Sequence, residues 1–281
     1  MMKTKTSIVK GISVAAFLLT LSLPMCSQTY EQYIEQAIAA SQDNKLNEAE
    51  QLYRQALKAS PDDVHNALIY SNIAHIQEAQ NLPMKALASY DLALGIAPLN
   101  VPILKARGDL YMSLGNINKA AIDYGNIIDV DPNNVEALLA RAYIYQQRRE
   151  YIKAKEDYEQ LLAIDPDHYS ASLGVVILFQ NAGKPQEALT RLALLIDKYP
   201  DKAELYSIRA EIEAEAKQTE LAIMDLDKAI SLEPNNTNMI LTRAYIHLDR
   251  GNKHLAKQDF ERVISLGIPR GLLKEELARC K

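Results

Sequence analysis

Seven alanines recur at a nearly fixed interval along this chain of 281 residues: Ala49, Ala86, Ala120, Ala154, Ala188, Ala222 and Ala256. Every spacing is 34 residues except the first, which is 37. Prolines keep the same interval twelve residues later, at Pro61, Pro98, Pro132, Pro166, Pro200 and Pro234. A fixed period of this length does not arise from one globular core. It predicts a stack of similar small units, each burying its apolar face against the next. Such a stack mostly offers surface, which narrows the function as well as the fold. The hydrophobic content of 48% belongs to a packed chain and not to a disordered one. Fifteen tyrosines stand against three phenylalanines and no tryptophan, a usage that suits rings with one wet edge.

The period divides the chain into units at 30–63, 67–100, 101–134, 135–168, 169–202, 203–236 and 237–270, with 64–66 as an insertion. In the fourth unit apolar residues recur at helical spacing to about Gln147, a polar break follows at Arg148–Glu150, and a second helical stretch runs to Ile164 before Asp165-Pro166 ends it. Each unit is therefore expected to be two antiparallel helices joined by a tight turn. Gly115, Gly183 and Gly251 fall at the break, where a helix end wants a residue that tolerates positive φ. Pro83 and Pro185 open second helices, where a missing N–H costs nothing.

Antiparallel helices pair residues equidistant from their turn, so facing positions within a unit sum to about 31. The recurring alanine at position 20 faces position 11, which is Tyr111, Tyr145 and Phe179 in the middle units. Position 8 is small in most units (Ala37, Ala74, Gly108, Ala142, Ala210 and Ala244). Position 24 is bulky (Tyr53, Tyr90, Tyr124, Tyr158, Leu192, Leu226 and Phe260), and its apolar spacing marks it as core. Position 7 is arginine in four units, as Arg107, Arg141, Arg209 and Arg243. Position 23 is aspartate in the same four, as Asp123, Asp157, Asp225 and Asp259. The other units carry Gln36 with Leu52, Ile73 with Ser89, and Val175 with Arg191. This co-occurrence predicts an ion pair inside each of the four hairpins, with the arginine fork gripping the carboxylate by two hydrogen bonds.

A small residue at position 8, alanine at 20, a bulky residue at 24 and proline at 32, on a 34-residue period, resemble the tetratricopeptide repeat over residues 30–270. Departures are local: position 4, usually aromatic in the family, is Leu104, Leu138, Ser172 and Ile240 in four units, Val176 stands at position 8 of the fifth, and Ile268 replaces the proline of the last. The resemblance implies an all-α, right-handed superhelical solenoid of seven helical hairpins, completed by a C-terminal capping helix at 271–281. It also implies a concave face lined by positions 2, 5, 6, 9, 12 and 13 of each first helix. Those positions hold nine acids here: Glu31, Glu35, Glu78, Asp109, Glu136, Glu204, Glu211, Glu215 and Asp249. Lys105 is the one lysine among them, with His75, Asn72, Tyr143, Tyr245, Gln146 and Gln147 as hydrogen-bonding or stacking groups and Leu139, Leu173, Ile177 and Leu241 as apolar patches. The expected contact residues for a partner are Asn72, His75, Lys105, Asp109, Glu136, Tyr143, Gln147, Glu204, Glu211 and Tyr245. Tyr143 and Gln147 lie one helical turn apart, placed to meet one ligand. The acids predict a protein or peptide partner of basic or polar character. The family's clamp for a terminal carboxylate is poorly matched, since Asn72 and Lys105 lack the further cations it needs.

No catalytic constellation is present. His65, His75, His168, His247 and His254 have no metal-ligand spacing with cysteine or acid, and there is no HExxH, CxxC, GxSxG or phosphate-binding glycine loop. The expectation is a non-enzymatic interaction scaffold or adaptor with no cofactor and no metal. A structural or assembly subunit docked by its edges or convex face is the alternative.

The first 27 residues read as a secretory signal: Lys3, Lys5 and Lys10, an apolar run from Gly11 to Leu23, then Pro24. A run of thirteen residues is too short to span a bilayer. Cleavage after Ser27 removes three lysines and no acids, taking the formal charge from −5 to −8 (−5 − 3). A chain this acidic repels phosphate and excludes nucleic acid as a partner. The expected location is the periplasm of a bacterial cell envelope. Leu23-Pro24-Met25-Cys26 matches a lipoprotein signal only at its ends, so membrane anchoring enters only through lipidation of Cys26. At the other end Leu272, Leu273 and Leu277 give one apolar face for the cap, and Cys280 stands near the tip, where it is expected to be able to cross-link two chains.

Overall fold

The computed structural model describes residues 29–281; the leader and Cys26 lie outside the described residues. The chain divides into two compact units, one ending at Ile96 and one running from Ala97 to Lys281. The first holds α1 (Tyr30–Gln42), α2 (Leu46–Ala59), α3 (Asn66–Ala79) and α4 (Pro83–Ile96). The second holds α5 (Val101–Ser113), α6 (Ile117–Val130), α7 (Val135–Gln147), α8 (Tyr151–Ile164), α9 (Tyr169–Asn181), α10 (Pro185–Lys198), α11 (Ala203–Glu215), α12 (Thr219–Leu232), α13 (Thr237–Asp249) and α14 (Lys253–Ser265). A 3-10 turn at Arg270–Leu273 and the short α15 (Lys274–Arg279) close it. Among the described residues there is no strand. Each odd-numbered helix from α1 to α13 packs on the even-numbered helix that follows it, giving two hairpins in the first unit and five in the second.

The turns repeat one backbone solution. Position 15 has positive φ in all seven hairpins: Asn44, Asn81, Gly115, Arg149, Gly183, Lys217 and Gly251, at φ between 58° and 78°. The next amide then reaches back five residues, as Asn116 N–H does to the Tyr111 carbonyl and Glu150 N–H to that of Tyr145. These are Schellman endings, which satisfy carbonyls the helix leaves open. Glycine is the residue without a steric cost there, yet four hairpins manage without it. At the opposite end of the hairpins, Asn100, Asn134 and Asn236 cap α5, α7 and α13 by accepting from the third helical amide. His168 Nδ1 does the same for Ala171 at 3.2 Å, which gives that histidine a structural role.

All seven position-20 alanines are fully buried. Position 8 meets position 24: a Cβ added at Gly108 would sit 3.3 Å from the Tyr124 ring. One apolar cluster gathers Ala37, Ala49, Tyr53, Ile69 and Ile73 in the first unit. A second, in the second unit, runs through Leu192, Leu205, Leu226, Ile240 and Phe260. The four expected ion pairs are all formed, and all with the same fork. Arg Nε donates to Asp Oδ2 and Nη2 to Oδ1, at 3.0 and 2.6 Å for Arg107–Asp123 and at 2.9 and 2.8 Å for Arg141–Asp157. Arg209–Asp225 and Arg243–Asp259 repeat it. The aspartates are buried while the guanidinium groups keep one edge in water.

The C-terminal segment corrects two expectations. Leu273 is buried and Leu277 packs on the core, but Leu272 is 72% exposed. The segment begins as a 3-10 turn, whose three residues per turn break the α-helical face drawn through all three leucines. Cys280 is buried, so its thiol is not presented for cross-linking.

Candidate partner-binding face

The first helices of the hairpins carry the candidate contact residues. In the first unit, Asn72 and His75 both stand on α3. Asn72 Nδ2 donates to the Tyr53 hydroxyl at 3.2 Å, and the Tyr90 hydroxyl lies 2.9 Å from His75 Nδ1 and donates to Glu78. In the second unit, Lys105 reaches both Asp109 (2.8 Å) and Glu136 (3.3 Å), and the Tyr124 hydroxyl donates to Asp109. Two of the nine acids therefore share that one lysine, which offsets one of their two charges.

The position-24 tyrosines are more than core. Their rings are buried as expected, but each hydroxyl hydrogen-bonds a residue of the first-helix face: the candidates Asn72, His75 and Asp109, and also Glu78 and Gln146. Burial raises the phenol pKa at each of Tyr53, Tyr124 and Tyr158, that of Tyr158 to about 12. At Tyr124 the Asp109 carboxylate it donates to adds to this. These phenols stay protonated; those of Tyr124 and Tyr158 donate, while that of Tyr53 accepts from Asn72. Periodicity alone missed this, because a tyrosine that is core by its ring and polar by its tip scores as core.

Across α7, α9 and α11 the face opens into a hollow of ≈ 500 Å³, lined by Leu139, Ala140, Tyr143, Gln146, Tyr158, Tyr169, Leu173, Gly174, Ile177 and Glu204. Tyr143 is 46% exposed and forms one wall. Gly174 makes the floor possible, since a Cβ there would run into the Tyr158 ring of the preceding hairpin. The Tyr169 hydroxyl donates to Glu204 at 3.1 Å, and burial raises its pKa to about 12. Of the candidates, the hollow brings together Tyr143 and Glu204. Gln147 is exposed but lies outside it; its neighbour Gln146 lines it and accepts from Tyr158 at 3.1 Å. Glu211 is exposed on α11, its pKa raised by partial desolvation and by Glu215. Tyr245 is drawn toward the cap, with its hydroxyl donating to Glu276 at 3.3 Å and its ring edge-on to Phe260. Tyr158, Tyr169 and Gly174 were not among the candidates.

Three family models, each described as tetratricopeptide repeat, match the chain: one at 34–101 and 105–169, one at 145–212 and one at 203–236. The chain belongs to the tetratricopeptide repeat family. Among solved structures it is similar to a tetratricopeptide repeat protein from Parabacteroides merdae, at 29% identity and a TM-score of 0.65, with 89% of this chain and 98% of that one covered. It also resembles the MamA protein (18% identity, TM-score 0.56, 62% and 95% covered). A third likeness is to YrrB, described as a tetratricopeptide repeat protein with an unusual peptide-binding site (20% identity, TM-score 0.55, 66% and 95% covered). None of the curated proteins matches. The low-identity likenesses establish the fold alone. Among the described residues of this tetratricopeptide repeat protein, no cluster of His, Cys, Asp or Glu is placed to hold a metal. No described helix is long and apolar enough to cross a membrane.

Proposed function

We propose that this tetratricopeptide repeat protein is a non-enzymatic adaptor that captures an extended segment of a partner protein on the first-helix face of α7, α9 and α11. The observation that carries this is the hollow of ≈ 500 Å³, whose volume lies in the range of ligand pockets and whose walls combine aliphatic side chains with a few convergent polar groups. Its chemistry is more apolar than the acid-rich sequence of the face suggests. Leu139, Leu173, Ile177 and Tyr143 suit a large apolar side chain, while Glu204 and Gln146 suit a cation or amide beside it. The preferred segment is thus an apolar anchor next to a basic or amide group, with the outlying acids Glu136 and Glu211 steering its approach. A solved relative by fold described as having a peptide-binding site is consistent with this use of the scaffold.

The test is affinity capture from cell-envelope extracts followed by calorimetry with the recovered partner. Tyr143→Ala and Ile177→Asp should weaken binding by more than about tenfold without loss of helicity, as expected for residues central to an interface. The triple variant Glu136→Lys, Glu204→Lys, Glu211→Lys should lose capture, and added salt should weaken capture by the unsubstituted chain. Partner binding unchanged in all three would sink the reading. Export to the periplasm belongs to the same proposal. Mass spectrometry of the purified protein should find an N-terminus at or near Gln28, and a diacylated Cys26 would move it to a membrane-anchored class.

A further inference from the structure

The fifth hairpin breaks the pattern of its neighbours at three positions that meet in space. In hairpins three and four the position-11 ring has two cations over it. Arg107 and Lys119 lie 5.9 and 5.2 Å from the ring centroid of Tyr111, and Arg141 and Lys153 lie 5.7 and 5.3 Å from that of Tyr145. In the fifth hairpin position 7 is Val175 and position 19 is Glu187, so neither cover exists for Phe179. Position 23 is Arg191 in place of aspartate, and its guanidinium lies over Phe179 at 5.5 Å. Val176 stands where most hairpins have alanine or glycine, and α9 and α10 approach each other at fewer points than the helices of any other hairpin.

These departures leave an apolar hollow of ≈ 310 Å³ between α8 and α9, lined by Tyr151, Ile152, Val175, Leu178, Phe179 and Ala182 with Lys155 and Lys184. Val175, Leu178, Phe179 and Ala182 follow the i, i+3, i+4, i+7 spacing of one helix flank, on the other side of α9 from Leu173, Gly174 and Ile177. The hollow is therefore separate from the first-helix face. Ile152 at its mouth is 78% exposed. No carboxylate lines it. Lys155 also reaches Glu159, but among the described residues neither Lys184 nor Arg191 has an ion-pair partner. Arg191 in addition lines a second hollow of ≈ 200 Å³, beside Leu194, which is exposed as well. On a chain of net charge −5, an apolar hollow edged only by cations runs against the overall charge.

We infer that this flank is a second docking site, for a partner-protein segment in which one large apolar side chain is flanked by carboxylates. The apolar anchor fills the hollow against Phe179 and Ile152, and the carboxylates meet Lys184, Lys155 and Arg191. The inference goes beyond the first-helix face and does not depend on it. Two ligands of opposite charge preference would be held on opposite flanks of α9, which suits an adaptor that joins two partners.

The probe is a fluorescein-labelled peptide, Glu-Asp-Glu-Phe-Asp-Glu, titrated with the full chain and read by anisotropy. Its controls have glycine for phenylalanine, or lysine for every acid. Saturable binding of the acidic phenylalanine peptide alone is expected. The exposed-site variants Ile152→Glu and Lys184→Glu should weaken it by about tenfold, as rim and anchor changes do. The double variant Val175→Arg, Arg191→Asp installs the ion pair of the neighbouring hairpins and should also lose binding, while Tyr143→Ala leaves it unchanged. No saturable binding, equal binding of the glycine or basic peptide, indifference to Ile152→Glu and Lys184→Glu, or loss in Tyr143→Ala would each overturn the inference. Circular dichroism of the single variants, whose sites are on the surface, separates lost binding from lost fold.

Discussion

Removing Arg141 should cost more than removing the whole Arg141–Asp157 pair. The Asp157 carboxylate is buried in the fourth hairpin and takes both of its hydrogen bonds from Arg141, at 2.9 and 2.8 Å. Arg141 keeps a fifth of its side chain in water. Arg141→Met strands a dry carboxylate, and breaking a buried pair from one side costs roughly 3–5 kcal/mol. Asp157→Leu leaves a cation that can still turn toward solvent, so its cost falls to roughly 1–2 kcal/mol. The double variant removes both charges and fills the site with apolar atoms, and its cost should be within about 1 kcal/mol of zero. The coupling between the two sites, the sum of the single costs less that of the double, is then roughly 4–7 kcal/mol. The fifth hairpin already folds with Val175 and Arg191 at these positions, which supports a pair that is costly to break yet dispensable as a unit. Urea unfolding by circular dichroism, with hydrogen exchange of the α7 and α8 amides to localise the loss, measures all three variants. Additive effects of the two single substitutions would refute the reasoning.

Ala154→Leu should destabilise by about 1–3 kcal/mol, because the alanine is fully buried where α7 and α8 meet and has no room for more volume; an unchanged melting curve would contradict that packing. Lys217→Gly and Arg149→Gly should each stabilise by about 0.5–1 kcal/mol, since both residues hold positive φ at a helix end, and a lowered melting temperature in either would count against the strain. Glu213 has its pKa raised to about 7, first by burial and then by Asp225 beside it. The folded state therefore holds this proton more tightly than the unfolded chain. The resulting stabilisation is full below about pH 4.5 and lost as pH rises through about 7, a fall of roughly 2–3 kcal/mol that Glu213→Gln should abolish in melts at pH 5 and pH 8. Burial lowers the His247 pKa, so its contribution has the opposite sign: present above the ordinary histidine range and lost as pH falls, a loss that His247→Gln should remove from acid-side melts.

The fold was legible because its rules are written in registers that repeat. Ala154 at one place is weak evidence, but seven alanines at one position of a hairpin are not, and the paired Arg and Asp positions turned the repeats into an internal alignment. The site was less legible, for a geometric reason. Helix-face positions say which way a side chain leaves the backbone, not what its neighbours leave open. Gln146 and Gln147 both sit on the predicted face, and the packing of Tyr158 under Gly174 from two different hairpins places the first of them in the hollow. Tyr245 has the right position but is next to the C-terminal helix, whose Glu276 takes its hydroxyl. The chain end failed for a local reason, because a helical wheel assumes an α-helix and Arg270–Leu273 is wound more tightly.

Regularity and function occupy different residues in this chain. What recurs holds hairpins together: the position-20 alanines, the left-handed turn residues and the four arginine forks. What departs from the repeat opens space. Gly174 at a position held by Ala140 in the preceding hairpin lets Tyr158 floor the hollow on one flank of α9. Val175 and Glu187, where arginine and lysine stand in the fourth hairpin, remove two covers from Phe179 on the other, and Arg191 in place of aspartate brings a cation to its ring. Each departure weakens an element that its neighbours keep, and solenoid units adjoin only their nearest neighbours, so such a loss stays local. The fifth hairpin is therefore the place where this stack can give up packing for binding surface, with regular hairpins on both sides holding it in register.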